Sequence, residues 1–150
     1  MNNPRGTGST RVQAAADPEV VEVVLDALER LYDEVADVDP EDRLHFSLAV
    51  SEIVTNVVEH GAHRIAVGEA PEAPRPGIDI DVCVEITTDA LRATVTDTAE
   101  ASEMPLAQAT MPDEWEESGR GLALALQVLD ELRHDASPSN TWHLSRWRRP

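Results

Sequence analysis

Glu52, Asn56 and His60 stand at successive i, i+4 steps in the stretch 46–61, FSLAVSEIVTNVVEHG. On a helix that spacing aligns the three side chains along one face. At 100° per residue, Phe46, Val50, Ile53 and Val57 form an apolar stripe, and the three polar residues fall along its flank. A residue there sits at the rim of a core, where a pocket can open. A carboxylate, a carboxamide and an imidazole on such a rim can hold a metal-bound anion and a water. Asn56 offers a neutral oxygen, suited to Mg²⁺ that keeps several waters and bridges phosphates. Glu52, one turn earlier, can accept a proton from an attacking hydroxyl or water. Many surface helices carry the same residue types with no role, so this triplet gains weight only from partners further along the chain.

Two later pieces add that weight. Asp97 closes a run of alternating residues and can accept a hydrogen bond from an exocyclic amine, which adenine offers and guanine at that position does not. Gly119-Arg120-Gly121-Leu122 precedes a helical pattern. Glycines at a helix N-terminus let backbone N–H groups approach phosphate, and Arg120 adds charge. Taken singly, Asp97 reads as a turn former and the glycines as a loop-to-helix cap. Helix, strand end and Gly-Arg-Gly in this order together point to nucleotide chemistry.

The elements that must position these groups follow from periodicity. Residues 1–16 lack a pattern and read as a disordered tail, with one domain from 17 to 147. Asp17-Pro18-Glu19 opens a helix that places Val21, Val24, Leu28, Leu31 and Val35 on one face. Asp39-Pro40-Glu41 opens the central helix, which Gly61 is placed to end. The Pro-rich segment 62–77 reads as a loop, with a short extended piece around 65–67. Alternation over 78–86 and 91–97 predicts an antiparallel hairpin. An acidic loop spans 98–117, a helix runs to about Leu132, and 141–147 is a last strand with Trp142 and Leu144 inward. The fold class expected is α+β: a two-layer sandwich, its sheet mixed but mostly antiparallel, with the helices on one face.

Composition narrows the partners. The chain has 150 residues and a net charge of −17, with no lysine. That balance repels phosphate polymers, so neither nucleic acid nor an anionic membrane is the expected partner. Aromatics make up only 3%, so the core must come from Val, Leu, Ile and Ala. The single Cys83 permits no internal disulfide and reads as a buried or half-buried thiol. No run reaches membrane-spanning length and no signal peptide is visible, which makes a cytoplasmic location the default. The Arg146-Trp147-Arg148-Arg149 end reads as a solvated basic tail.

The stretches AVSEIVTNVVEHG (49–61), TVTD (94–97), GRGLALALQVLDEL (119–132) and NTWHLSRW (140–147) resemble the anti-sigma-factor serine/threonine kinases of bacteria. These belong to the gyrase, chaperone, histidine-kinase and mismatch-repair (GHKL) ATPase superfamily. The resemblance covers roughly residues 17–147. It implies a histidine-kinase-like ATPase domain using ATP and Mg²⁺, with Glu52 as catalytic base and Asn56 as Mg²⁺ ligand. His60 would join the nucleotide-binding helix, and Asp97 would read the adenine amine with Thr141 as helper. Gly119, Arg120, Gly121 and Leu122 would close over the phosphates, and 98–117 would be the ATP lid. Such proteins sequester a sigma factor, phosphorylate an anti-sigma-factor antagonist protein, and often form a homodimer. The family pattern Asp-x-Gly-x-Gly reads here Asp97-Thr98-Ala99-Glu100-Ala101. Alanine in a glycine's φ > 0 conformation is strained by about 1 kcal/mol or more. That departure supports a second reading, a binding module that keeps the fold but has lost efficient catalysis. A third, the detached ATPase half of a histidine kinase, lacks a dimerisation and phosphoacceptor helix ahead of the domain.

Overall fold

Among the described residues of a computed structural model, eight elements follow in the order strand, two helices, two strands, helix, two strands. It describes residues 5–68, 78–98, 112–136 and 140–149, without the side chains of 60–68 and 112–119. They are β1 (Gly8–Ala15), α1 (Val20–Glu34), α2 (Pro40–Gly68), β2 (Asp79–Ile86), β3 (Ala90–Asp97), α3 (Pro112–Val128), β4 (Glu131–Asp135) and β5 (Asn140–Trp147). The strands form one sheet in the order β1-β2-β3-β5-β4. Every pairing described is antiparallel.

The expected α+β class holds, and its physical basis is alternation. Ile80, Val82, Val84 and Ile86 of β2 are buried, as are Leu91, Ala93 and Val95 of β3 and Trp142 and Leu144 of β5. They meet Val24, Leu28 and Leu31 of α1 and Phe46, Val50, Ile53 and Val57 of α2 in one cluster. Each such side chain contributes about 1.5–3 kcal/mol when fully removed from water. The stripe read on α2 is therefore the wall that fixes its rotation, and with it the direction of Glu52 and Asn56. Asp39 caps α2 as expected, its Oδ1 accepting the Glu41 N–H at 2.8 Å.

Several boundaries differ from the sequence reading. The supposed tail contains β1, an edge strand laid along β2 from Gly8 opposite Ile86 to Ala15 opposite Asp79. Its inward residues, Gly8, Thr10, Val12 and Ala14, are small or half-buried, so it carries little apolar signal. Arg11 anchors it, donating to both oxygens of Asp81 at 3.0 and 2.7 Å. The central helix continues through Gly61 to Gly68, which removes the extended piece expected around 65–67. A glycine inside a helix costs about 1 kcal/mol relative to alanine, and neighbouring turns can carry it. The third helix begins at Pro112 and ends at Val128. Beyond it Asp130 turns the chain, its N–H donating to Ser145 O and its carboxylate accepting the Trp147 N–H. Residues 131–135 then form β4 and not the end of a helix. Cys83 lies on the solvent side of β2 and is exposed, contrary to expectation.

Two of the C-terminal arginines, Arg146 and Arg148, are built into the fold rather than solvated, while Trp147 and Arg149 stay exposed. Arg146 is 6% exposed and pairs with the fully buried Asp42 at 2.9 Å. Arg148 donates to the carbonyls of Gly6, Thr87 and Asp37. Asp37, in the link between α1 and α2, holds a left-handed φ of 74°.

Candidate functional site

Glu52 and Asn56 lie on the rim of α2 where α3 crosses it, and the two helices leave a cleft of about 260 Å³. Glu52, Thr55, Asn56 and Glu59 form one wall; Arg120, Gly121 and Leu124 form the other. The i, i+4 spacing thus does what the sequence suggested for Glu52 and Asn56. His60 follows one turn later on the same helix, but its side chain lies outside the described residues, and so does the setting of Gly119.

The electrostatics of the cleft favour a cation. Two carboxylates and one guanidinium line it. Burial holds the Glu52 carboxyl above its ordinary range, and the neighbouring Glu59 charge pushes the same way. A carboxylate raised in this way is a stronger base than an ordinary one. Asn56 is 6% exposed, and its amide nitrogen has no hydrogen-bond partner. Amide oxygen and nitrogen are assigned by environment, and this unpartnered end is itself shut off from solvent rather than open to the cleft that Asn56 lines. An orphan of this kind costs about 1–3 kcal/mol unless something fills it. A hydrated Mg²⁺ carrying phosphate oxygens fits this donor set. The volume suits the phosphate-and-metal end of a nucleotide, being below the roughly 300–1,000 Å³ of a drug-sized pocket.

Gly119-Arg120-Gly121 does not open a helix. It lies inside α3, so its amides belong to helical hydrogen bonds and not to a free N-terminus. Gly121 serves another purpose: a Cβ there would collide with Glu52 Oε2 and stand 3.1 Å from Glu52 Cδ. The glycine lets α3 approach the carboxylate. Leu122 points into the core at 4% exposure, away from the cleft, and Leu124 takes the cleft position. Of the expected lid, 99–111 lies outside the described residues, including Ala99 and Ala101, while 112–117 begins α3.

Asp97 is buried at the end of β3 and is not among the cleft residues. Its carboxylate accepts from Asn140 Nδ2 at 3.3 Å. Thr141 does not join it. Thr141 pairs with Thr96 across the sheet, its hydroxyl 3.4 Å from that of Thr96, on the face opposite Asp97. Asn140 was missed because its only signal is register: it opens β5 opposite the residue that closes β3.

A family model for the histidine kinase-like ATPase domain matches residues 14–144. The chain belongs to this family. The GHKL resemblance read from the sequence is thereby borne out at the level of the ATPase domain, a class that generally binds ATP with Mg²⁺. Among solved structures, the ATPase domain is similar to the RsbU and RsbW domains of Rv1364c from Mycobacterium tuberculosis. The TM-score is 0.62 at 23% identity, over 95% of this chain and 33% of that one. It is also similar to the histidine kinase domain of the blue-light activated histidine kinase of Erythrobacter litoralis EL346. There the TM-score is 0.52 at 17% identity, over 89% of this chain and 64% of that one. At these identities the likeness concerns the fold, and the chain spans only a third of the first of those chains. No curated protein matches the sequence. Among the described residues, no helix of the ATPase domain is long and apolar enough to cross a membrane, and no group of three His, Cys, Asp or Glu could hold a metal by itself.

Proposed function

We propose that this ATPase domain is an anti-sigma factor with ATP- and Mg²⁺-dependent serine/threonine kinase activity. It sequesters a sigma factor and phosphorylates an anti-sigma-factor antagonist, acting in the cytoplasm. The observation that carries the reading is the half-buried Glu52, its carboxyl raised above the ordinary value by burial, beside Asn56 on the wall of one cleft. The likeness to a structure containing an RsbW domain supports the choice of this branch over a histidine kinase.

In this reading Asn56 holds Mg²⁺, Arg120 sets its charge against phosphate, and Asp97 accepts from the adenine amine. ATP, when bound, supplies the phosphoryl group. Glu52 takes the proton from a serine or threonine hydroxyl of the antagonist. Its raised proton affinity suits a base that must capture that proton and then release it to water. General-base assistance of this kind contributes about 10²–10⁴-fold.

A second reading is a binding module with weak or no catalysis. The position of Gly119–Gly121 inside α3 favours it, because the helix offers no free N-terminal amides there. One experiment separates the two: labelled ATP and Mg²⁺ are incubated with the chain and a panel of bacterial anti-sigma-factor antagonists, and the products are mapped by mass spectrometry. Phosphoserine or phosphothreonine on an antagonist, falling about 100-fold or more in Glu52→Gln, is the expected result. A stable sigma-factor complex without transfer supports the binding module. Phosphate on a histidine of the chain itself contradicts both.

A further inference from the structure

We infer that Asn140 is the positioning residue for nucleobase recognition in this chain, taking the place that the family resemblance implies for Thr141. The inference rests on the nucleotide-binding reading and deepens it.

The register decides which side chains can act together. Asp97, the last residue of β3, lies directly opposite Asn140, the first of β5. Both belong to the inward rows of their strands and are 5% and 4% exposed. Asn140 Nδ2 donates to Asp97 Oδ1 at 3.3 Å. Thr141, one residue on, projects to the other face of the sheet, as the period of two requires. No rotamer change carries its hydroxyl through the sheet to Asp97.

The chemistry follows from the donor and acceptor inventory. A carboxylate has about four acceptor sites on two oxygens, so an exocyclic amine can join Asn140 and the other partners of Asp97. An amide side chain carries both a donor and an acceptor. Having donated to Asp97, Asn140 fixes that carboxylate's plane and so the direction from which an amine is accepted. To a purine set against it, the pair would present an acceptor where adenine has N6–H₂ and where guanine and hypoxanthine have a carbonyl oxygen. Set that way, it rejects a 6-oxo purine through two facing oxygens. A site built to bond a polar group discriminates strongly because its own buried groups are otherwise left unpaired. Shielding from water makes the Asp97–Asn140 bond stiff, and the ratio of ATP to ITP affinity measures that stiffness.

The test is calorimetric titration of the full chain with Mg·ATP and Mg·ITP, in wild type, Asn140→Ala, Asn140→Gln and Thr141→Val. Wild type is expected to favour ATP by tenfold or more. Asn140→Ala is expected to lower that ratio about tenfold, Asn140→Gln to restore part of it, and Thr141→Val to leave it unchanged. General loosening of the fold weakens both nucleotides alike and leaves the ratio in place. A wild-type ratio retained in Asn140→Ala, or lost in Thr141→Val, overturns the assignment while leaving the nucleotide site standing. Absence of any Mg·ATP binding by wild type overturns the assignment together with the reading on which it rests.

Discussion

Glu52, Asn56 and Gly121 meet within one cleft, and each makes its own prediction. The Glu52 carboxyl lies above its ordinary value of 4.5 through burial and the Glu59 charge. The folded chain therefore holds the Glu52 proton more tightly than the unfolded chain. Stability falls as pH rises between the unfolded and folded values, and the loss persists above them. Glu52→Gln removes it. Thermal melts are expected to show a higher Tm for Glu52→Gln at about pH 7.5 and no difference at about pH 3, where both states keep the proton. An equal Tm at both values contradicts the account. At Gly121 the obstacle to a methyl group is the end of a flexible side chain. Gly121→Ala is thus expected to keep the fold, even to gain up to about 1 kcal/mol of helix propensity, while displacing Glu52. Phosphate transfer falls without loss of stability in urea titrations; a collapse of stability contradicts this. The carboxylate and carboxamide were legible from spacing alone because one helix carries both. The role of Gly121 was not, because it depends on how a second helix crosses the first.

At the scale of elements, the lesson concerns edges. The central strands β2 and β3 announced themselves because a full apolar face alternates along each. The edge strands β1 and β4 did not. Inward positions of β1 are Gly8, Thr10, Val12 and Ala14, and those of β4 are only Leu132 and His134. An edge strand is covered on fewer sides and needs less apolar surface, so its pattern is weak. For α3 the signal was present and overlooked: Pro112-Asp113-Glu114 repeats the proline-plus-acid start of the other helices. β1 nonetheless matters, since α1 packs on it closely enough that a Cβ at Gly8 would stand 2.7 Å from Val35 and 3.0 Å from Leu31. Deleting residues 1–15 is expected to cost about 2 kcal/mol or more in urea denaturation by uncovering that surface. A truncated chain as stable as the full one contradicts the placement of β1.

Across the whole molecule, the last residues tie the two layers together. Asp42, at the start of α2, accepts from Arg146 Nε at 2.9 Å and from the Arg149 backbone N–H at 2.9 Å. Arg148 reaches the carbonyls of Gly6, Thr87 and Asp37, three otherwise separate parts of the chain. Read as sequence, this end is a charged tail; folded, it buries the Arg146 and Arg148 charges because a buried carboxylate and several carbonyls meet them. Asp42→Ala leaves the Arg146 guanidinium buried and unpaired and is expected to cost about 3–5 kcal/mol. Exchanging both partners for apolar residues costs less. The loss is expected to persist at high salt, because buried pairs are weakly screened. A loss below about 1 kcal/mol in urea titrations contradicts the tie.

The central claim is that the cleft between α2 and α3 receives the metal-phosphate end of a nucleotide through Asn56. Its most direct test is calorimetric titration of wild type and Asn56→Ala with ATP in the presence and absence of Mg²⁺. The account predicts Mg²⁺-dependent binding by wild type at micromolar to millimolar ATP, and loss of that dependence in Asn56→Ala with the fold intact. No ATP binding by wild type, or the same Mg²⁺ dependence in the variant, contradicts it.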